Sequence, residues 1–244
     1  MSAKQTVRSV ALFIDRASMM MRLSPQRTFA LRLALGAFAL IAAAWLFGAI
    51  TEDVVNQDAP LGTLDLYVAA WLHSRVTPGW TSVMAVVSDF GAPITVIAIA
   101  SVVATVLLYL RAHYQLLLLV LAVPGGALLN GIIKQLIHRH RPVFDDPIQT
   151  LATYSFPSGH AMGSTVLYGT LAAIVIWQVR DWRVSLLAIF AAALLVAWIC
   201  LSRIYLGVHY LSDVAAGFLE GIVWLGVCLA AVDAVRRRTA RGHC

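Results

Sequence analysis

LLLLVLAVPGGALLNGIIKQLIHRHRP, residues 116–142, carries no charge from Leu116 to Ile133 and then closes on Lys134, His138, Arg139, His140, Arg141 and Pro142. A hydrocarbon core takes about 20 predominantly apolar residues in helical form, so this stretch reads as a membrane span with cations at one end. Uncharged or nearly uncharged runs of similar length recur outward from it, at 33–50, 91–110, 161–179, 184–201 and 214–232, with 116–137 as the third of six. Hydrophobic residues make up 60% and charged residues 12% of the 244, and mean hydropathy is +0.81. Those values exclude a soluble globular domain. The expected fold is all-α: a polytopic membrane helical bundle with six transmembrane helices and short interfacial helices, forming a single domain over 1–244.

The formal charge of +6 does not mark a nucleic-acid binder, because the basic residues lie mostly between apolar runs rather than along one stripe. They orient the chain instead. Lys4, Arg8, Arg16, Arg22, Arg27, Arg111, Arg180, Arg183, Arg236, Arg237, Arg238 and Arg241 all fall on one side if both termini are cytoplasmic. Apart from Arg32 at the edge of the first span, the outside then keeps Arg75, Lys134, Arg139, Arg141 and Arg203. Cations held there against the bias call for a local anion. Residues 1–32 form the cytoplasmic N-terminal segment, within which 7–23 suits an interfacial helix or a basic tail. No cleaved signal peptide is expected, since the first apolar run starts late and is too long for one. The outer segment 51–90, with Leu64, Val68, Trp71 and Leu72 at helical spacing and Pro60, Pro78 and Gly79 as breakers, is expected to hold one or two short helices. Cys200, Cys228 and Cys244 show neither paired nor metal-ligand spacing.

Three polar clusters carry the chemistry, each at the end of an apolar run. An ionisable group at membrane depth signals function by default. In the first, Lys134 and Arg141 are seven residues apart and share one face of a continuing helix, which Pro142 ends. Taken alone, the pair also suits a snorkelling lysine in a belt with His138, Arg139 and His140. In the second, Pro157-Ser158-Gly159-His160 stands directly before an apolar helix. Proline suits a first helical turn, Ser158 caps or bonds an anion, and Gly159 admits close backbone approach, while the free amides and positive dipole end favour phosphate. An ordinary serine cap reads the same way. In the third, Arg203 ends one span, and His209 and Asp213 stand four apart at the entry to the next. On a helix such a pair meets on one face, so the carboxylate holds one imidazole nitrogen and leaves the other free to attack. All three clusters fall on the same side under a topology derived from other residues.

Lys134 to Arg141-Pro142, then Pro157-Ser158-Gly159-His160, then Ser202-Arg203 to His209 to Asp213 resemble, in order and spacing, the three-part signature of the type 2 phosphatidic acid phosphatase superfamily. The motif region covers 134–213, and the six-span layout extends the likeness over most of the chain. The resemblance implies His209 as a nucleophile forming a phosphohistidine, Asp213 as its orienting partner and His160 as the general acid. It implies Lys134, Arg141, Ser158, Gly159 and Arg203 as phosphate ligands, with no metal and no cofactor. Relatives of this size are mostly bacterial lipid phosphatases acting on phosphatidate, phosphatidylglycerol phosphate, undecaprenyl diphosphate or lipid A. The expected setting is therefore the bacterial cytoplasmic (inner) membrane, with the site facing the periplasm or outside. The expected partner is a lipid phosphate or diphosphate from the bilayer, with no nucleic acid and no obligate protein partner. Leu211 stands where many relatives carry proline.

Other readings stay open. A metal hydrolase built on His138, His140, His160, His209 and Asp213 would set a divalent ion among cations that repel it. Vanadium haloperoxidases share the signature but are soluble. A lipid-to-lipid phosphotransferase has the same site, and a non-catalytic lipid-binding or transport protein predicts gaps in the set. Gly125, Gly126 and Gly131 either thin a helix wall beside a lipid chain or let helices pack closely. Asp145 and Asp146 are expected to shape headgroup choice, or simply to be solvated.

Overall fold

A computed structural model describes residues 25–149, 151–179 and 181–241. The 7–23 segment and Cys244 lie outside the described residues. All regular structure among the described residues is helical: α1 Pro25–Asn56, α2 Ala59–His73, α3 Pro78–Asp89, α4 Pro93–Tyr109, α5 His113–Ile137, α6 Gly159–Gln178, α7 Trp182–Tyr205 and α8 Leu211–Arg241. The chain divides into two compact units at Ala42/Ala43. In the first, the described part is the opening of α1, which turns Leu33, Leu35, Phe38 and Ile41 outward.

Pro60 and Pro78, expected as breakers, prove to be helix starts, as does Pro93 at the start of the expected second span. Pro60, Pro78 and Pro93 each occupy the first turn of α2, α3 and α4, where the missing N–H has no intrahelical partner to lose. The segment 51–90 thus holds two short helices after the end of α1. That end lies at Asn56, beyond the expected 50. Glu52 and Asp53 leave the apolar run without breaking the helix, because hydropathy marks where a helix leaves lipid and not where its hydrogen bonds stop.

Among the described residues five helices are long and apolar enough to cross a membrane, and α3 with α4, bent by 43° at a short break, makes up to six. The all-helical membrane bundle is as expected, with five to six spans where six were expected. The second expected span, 91–110, appears as the 17-residue α4, and the α3–α4 bend is where a sixth crossing would be broken. Polarity is inverted relative to a soluble protein: Phe38, Ile94 and Leu136 are exposed, while Asp65, Ser158, Arg203, His209, Asp213 and Glu220 are buried. Lipid is the solvent that makes such an arrangement stable.

α6 sits at the centre, packed against α5, α7 and α8. Gly217 and Gly221 of α8 allow the closest approach: a Cβ at Gly217 would fall 2.4 Å from the Ser158 carbonyl oxygen, and one at Gly221 would fall 2.8 Å from Thr165. This Gly-xxx-Gly spacing, legible in the sequence, sets the α6–α8 contact. Gly125 and Gly126 likewise make room for Trp224 and Met162, whereas Gly131 faces open space. For the first two, close packing is the observed role.

Candidate active site

α5 ends earlier than the spacing of Lys134 and Arg141 suggested. His138 adopts a left-handed conformation, φ 53° and ψ 30°, and its N–H closes the helix on the Lys134 carbonyl. Arg141 is therefore not on the helical face of Lys134; it approaches from the following loop. All three protons of Lys134 Nζ point at carbonyls, those of Tyr154 (2.9 Å), Ser155 (3.4 Å) and Pro157 (2.8 Å). Arg141 donates through Nε to Thr153 O, through Nη1 to Val208 O and His209 Nε2, and through Nη2 to Thr153 Oγ1 and Tyr154 O. Both cations shape the loops that carry the other two clusters.

Ser158 precedes α6 and is fully buried with its hydroxyl unpartnered, and its N–H donates to the Asp213 carbonyl at 2.9 Å. The second and third clusters are thus joined backbone to backbone. The first intrahelical bond of α6 runs from Met162 N to Ser158 O, so the amides of Gly159, His160 and Ala161 form a free positive helix end. His160, half-buried, lies within electrostatic reach of Arg203, His209, Arg141 and Lys134.

Arg203 is 1% exposed; its Nη1 donates to Ser88 Oγ and, at 3.4 Å, to Gln149 Oε1, while Nε and Nη2 have no partner. The unpaired buried donors of Arg203, the unpaired hydroxyl of Ser158 and the free amides at the start of α6 are groups suited to an oxyanion.

His209 and Asp213 meet, but not by helical periodicity. Gly207, with φ 70°, turns the chain out of α7, and His209 stands in the loop before α8 begins at Leu211. Asp213 reaches back from the first turn. Its Oδ2 accepts from Tyr210 N at 2.9 Å and faces His209 Nδ1 at 3.5 Å, a separation at which charge matters more than a formed hydrogen bond. The Nε2 lone pair accepts from Arg141 at 3.1 Å, which assigns the remaining proton to Nδ1, facing the carboxylate. Burial pushes the His209 pKa down to about 4, with Asp213 opposing and Arg141 and Arg203 adding to the shift. The ring is therefore neutral at pH 7.

Three participants were not singled out as site residues from sequence. Arg139, read as part of an interfacial belt, donates from Nη1 to Asp213 Oδ1 (2.6 Å) and from Nη2 to Asp65 Oδ2 (2.8 Å). Burial works against its charge, but the two carboxylates outweigh this and hold its pKa above the ordinary value. Asp65 and Ser212 complete that cluster. Asn130 and Glu220 pair deeper in the bundle at 2.8 Å. Asp146, from the acidic loop, pairs with His73 Nε2 at 2.9 Å. Among the described residues no group of three or more His, Cys, Asp or Glu is arranged to hold a metal ion.

A groove of about 750 Å³ runs from this cluster between α4, α5 and α6. Val96, Ile97, Leu119, Val123 and Ala127 line its length, and Lys134, Arg141, His160 and His209 close its polar end.

An apolar groove closed at one end by Lys134, Arg141, His160 and His209, in a bundle of helices long and apolar enough to cross a membrane, suits the class of membrane phosphatases. The PAP2 superfamily pattern matches residues 114–237, and the chain belongs to that family. It is 28% identical over 147 residues to phosphatidylglycerophosphatase B of Bacillus subtilis, covering 60% of this chain and 72% of that protein. Decaprenylphosphoryl-5-phosphoribose phosphatase of Mycolicibacterium smegmatis is 38% identical over 104 residues, 40% of this chain and 51% of its own length. The crystal structure of the transmembrane PAP2-type phosphatidylglycerolphosphate phosphatase from Bacillus subtilis superposes with a TM-score of 0.76 over 81% of this chain and 98% of that one, at 22% identity. The likeness in fold is thus far greater than the likeness in sequence.

Proposed function

We propose that this chain is an integral membrane lipid phosphatase that hydrolyses a phosphomonoester or diphosphate on a lipid through a phosphohistidine at His209. The observation that carries the reading is the apolar groove whose polar end is closed by Lys134, Arg141, Gly159, His160 and a neutral His209. The lipid tail lies along the groove and the phosphate sits against Arg203, Ser158 and the free amides at Gly159–Ala161. Lys134, from the last turn of α5, and Arg141, from the loop that follows, add charge.

In the first half-reaction the Nε2 lone pair forms the P–N bond as the P–O bond to the lipid breaks, and His160 protonates the departing oxygen. In the second, His160 takes a proton from water, the water oxygen forms a new P–O bond, the P–N bond breaks and inorganic phosphate leaves. Asp213 stabilises the positive charge that the His209 ring gains on attack. Phosphoryl transfer asks mainly for positioning and charge stabilisation, and the cations with the α6 N-terminus supply both without a metal ion. The positive-inside bias supports a site on the extracytoplasmic face of a bacterial cytoplasmic membrane, with both termini cytoplasmic.

The test is release of inorganic phosphate by the purified chain from phosphatidylglycerol phosphate, phosphatidate, undecaprenyl diphosphate and lipid A, each in excess EDTA, with His209→Ala as the control. The expected result is turnover of at least one substrate in EDTA and none by the variant. Wild-type-like turnover by His209→Ala would overturn the mechanism, and strict dependence on one divalent ion would overturn its metal independence. Transfer of labelled phosphate to a second lipid instead of water would make the chain a phosphotransferase.

A further inference from the structure

We infer that Asp65, on the short helix α2, is a positioning residue for the nucleophile, fixing Asp213 through Arg139 and Ser212. The inference rests on His209 being the attacking group.

Both carboxylate oxygens of Asp65 are committed. Oδ1 accepts from Ser212 N at 2.9 Å, and Oδ2 accepts from Ser212 Oγ and from Arg139 Nη2 at 2.8 Å. Arg139 Nη1 in turn donates to Ser212 Oγ (2.7 Å) and to Asp213 Oδ1 (2.6 Å). The Ser212 hydroxyl donates its single proton to Asp65 and accepts from Arg139, so the geometry leaves no ambiguity in direction. Ser212 lies in the opening turn of α8, where amides lack intrahelical partners. Asp65 caps that helix from a distant part of the chain. With Oδ1 of Asp213 pinned by Arg139, Oδ2 is left for Tyr210 N and the His209 ring.

A purely stabilising role fits poorly. Asp65 and Asp213 are essentially inaccessible, at 1% and 0% exposure, and burying such an ion cluster is costly compared with apolar side chains of similar volume. Its placement does have electrostatic use. Two carboxylates on one guanidinium leave the trio with a net negative charge beside a ring that becomes positive as it attacks phosphorus. Without a charge on Asp65, Asp213 would be the one charged partner of Arg139 in the trio, which would then present no net charge to His209.

The test compares Asp65→Asn, Asp65→Glu and Ser212→Ala in the full-length protein, reading kcat, KM and inhibition by inorganic phosphate. Asparagine can still accept from Ser212 N, but its amide offers Arg139 a donor where an acceptor is required. The expected result for Asp65→Asn is a fall in kcat of about 100-fold, the order that a 1 Å misplacement costs. KM should stay within about threefold and phosphate inhibition should be unchanged, because Lys134, Arg141, Ser158 and Arg203 are untouched. Asp65→Glu, which keeps the charge, should recover part of the loss. Ser212→Ala retains the Asp65–Arg139 pair and should lose about tenfold in kcat; it decides the matter if Asp65→Asn does not accumulate folded. Wild-type kcat in Asp65→Asn and Ser212→Ala would overturn the inference. So would loss of phosphate inhibition in step with kcat, which marks a collapsed site. Turnover by His209→Ala would instead overturn the nucleophile assignment beneath it, so the two failures are distinguishable.

Discussion

Gly217→Ala is the substitution for which the structure gives the sharpest expectation. An added Cβ would stand 2.4 Å from Ser158 O and 3.2 Å from Ser158 C and N, all backbone atoms. Ordinary van der Waals contact begins near 3.4 Å, so α8 and the turn before α6 must separate by about 1 Å. That turn is tied to α8 by the bond from Ser158 N to Asp213 O, 2.9 Å long. The separation would therefore move the anion site away from the His209–Asp213 pair. A displacement of about 1 Å at a reacting geometry costs on the order of 100-fold in rate. Overpacking costs about 1–3 kcal/mol, partly offset by about 1 kcal/mol from the better helix propensity of alanine, so activity should respond far more than stability. The assay is phosphate release from a lipid phosphate in detergent alongside a thermal unfolding scan, with Gly131→Ala as the control, since nothing lies within 4 Å of a Cβ there. If Gly217→Ala retained kcat within about threefold of Gly131→Ala, the reasoning from close approach to catalytic geometry would fail.

Three further expectations follow from the site. His160→Ala should slow hydrolysis of an alkyl lipid phosphate far more than that of an aryl phosphate, whose leaving oxygen needs no proton; equal losses would make His160 structural. Because burial pushes the His209 pKa from 6.5 down to about 4, the reactive neutral ring persists into acid. kcat/KM corrected for substrate ionisation should therefore fall only as the pH drops through about 4, and an acid limb near 6.5 would count against a buried nucleophile. A reporter active only outside the cytoplasm should respond when fused after Leu151 and stay silent after Arg238; the reverse pattern would move the site to the cytoplasm.

What sequence revealed and what it hid divide along a physical line. Apolar runs long enough to cross a bilayer announce themselves residue by residue, and the Pro157–His160 turn is local, so both could be read directly. The sequence spacing of Lys134 and Arg141 suggested a shared helical face, because nothing in Ile137-His138-Arg139 signals that a histidine will take the left-handed conformation usually given to glycine. Arg139 looked like one more interfacial cation, since its two carboxylates come from α8 and from a short helix far away in sequence. Asp65 could not have been found from its surroundings: a lone aspartate on an amphipathic helix is ordinarily solvated, and only the tertiary fold buries it against Ser212. The Gly217-xxx-Gly221 spacing was visible and is the signal that would have predicted the α6–α8 approach.

The donor inventory separates residues that the family signature groups together. Lys134 directs three protons at three carbonyls and Arg141 directs five at loop acceptors and at His209, which exhausts the capacity of each. Of the three, Arg203 keeps buried donors without partners, as does the buried hydroxyl of Ser158. In the proposed mechanism the cations would differ in what phosphate asks of them: Arg203 would gain partners for donors that have none, whereas Arg141, 3.1 Å from His209 Nε2, would have to release that nitrogen before it could attack.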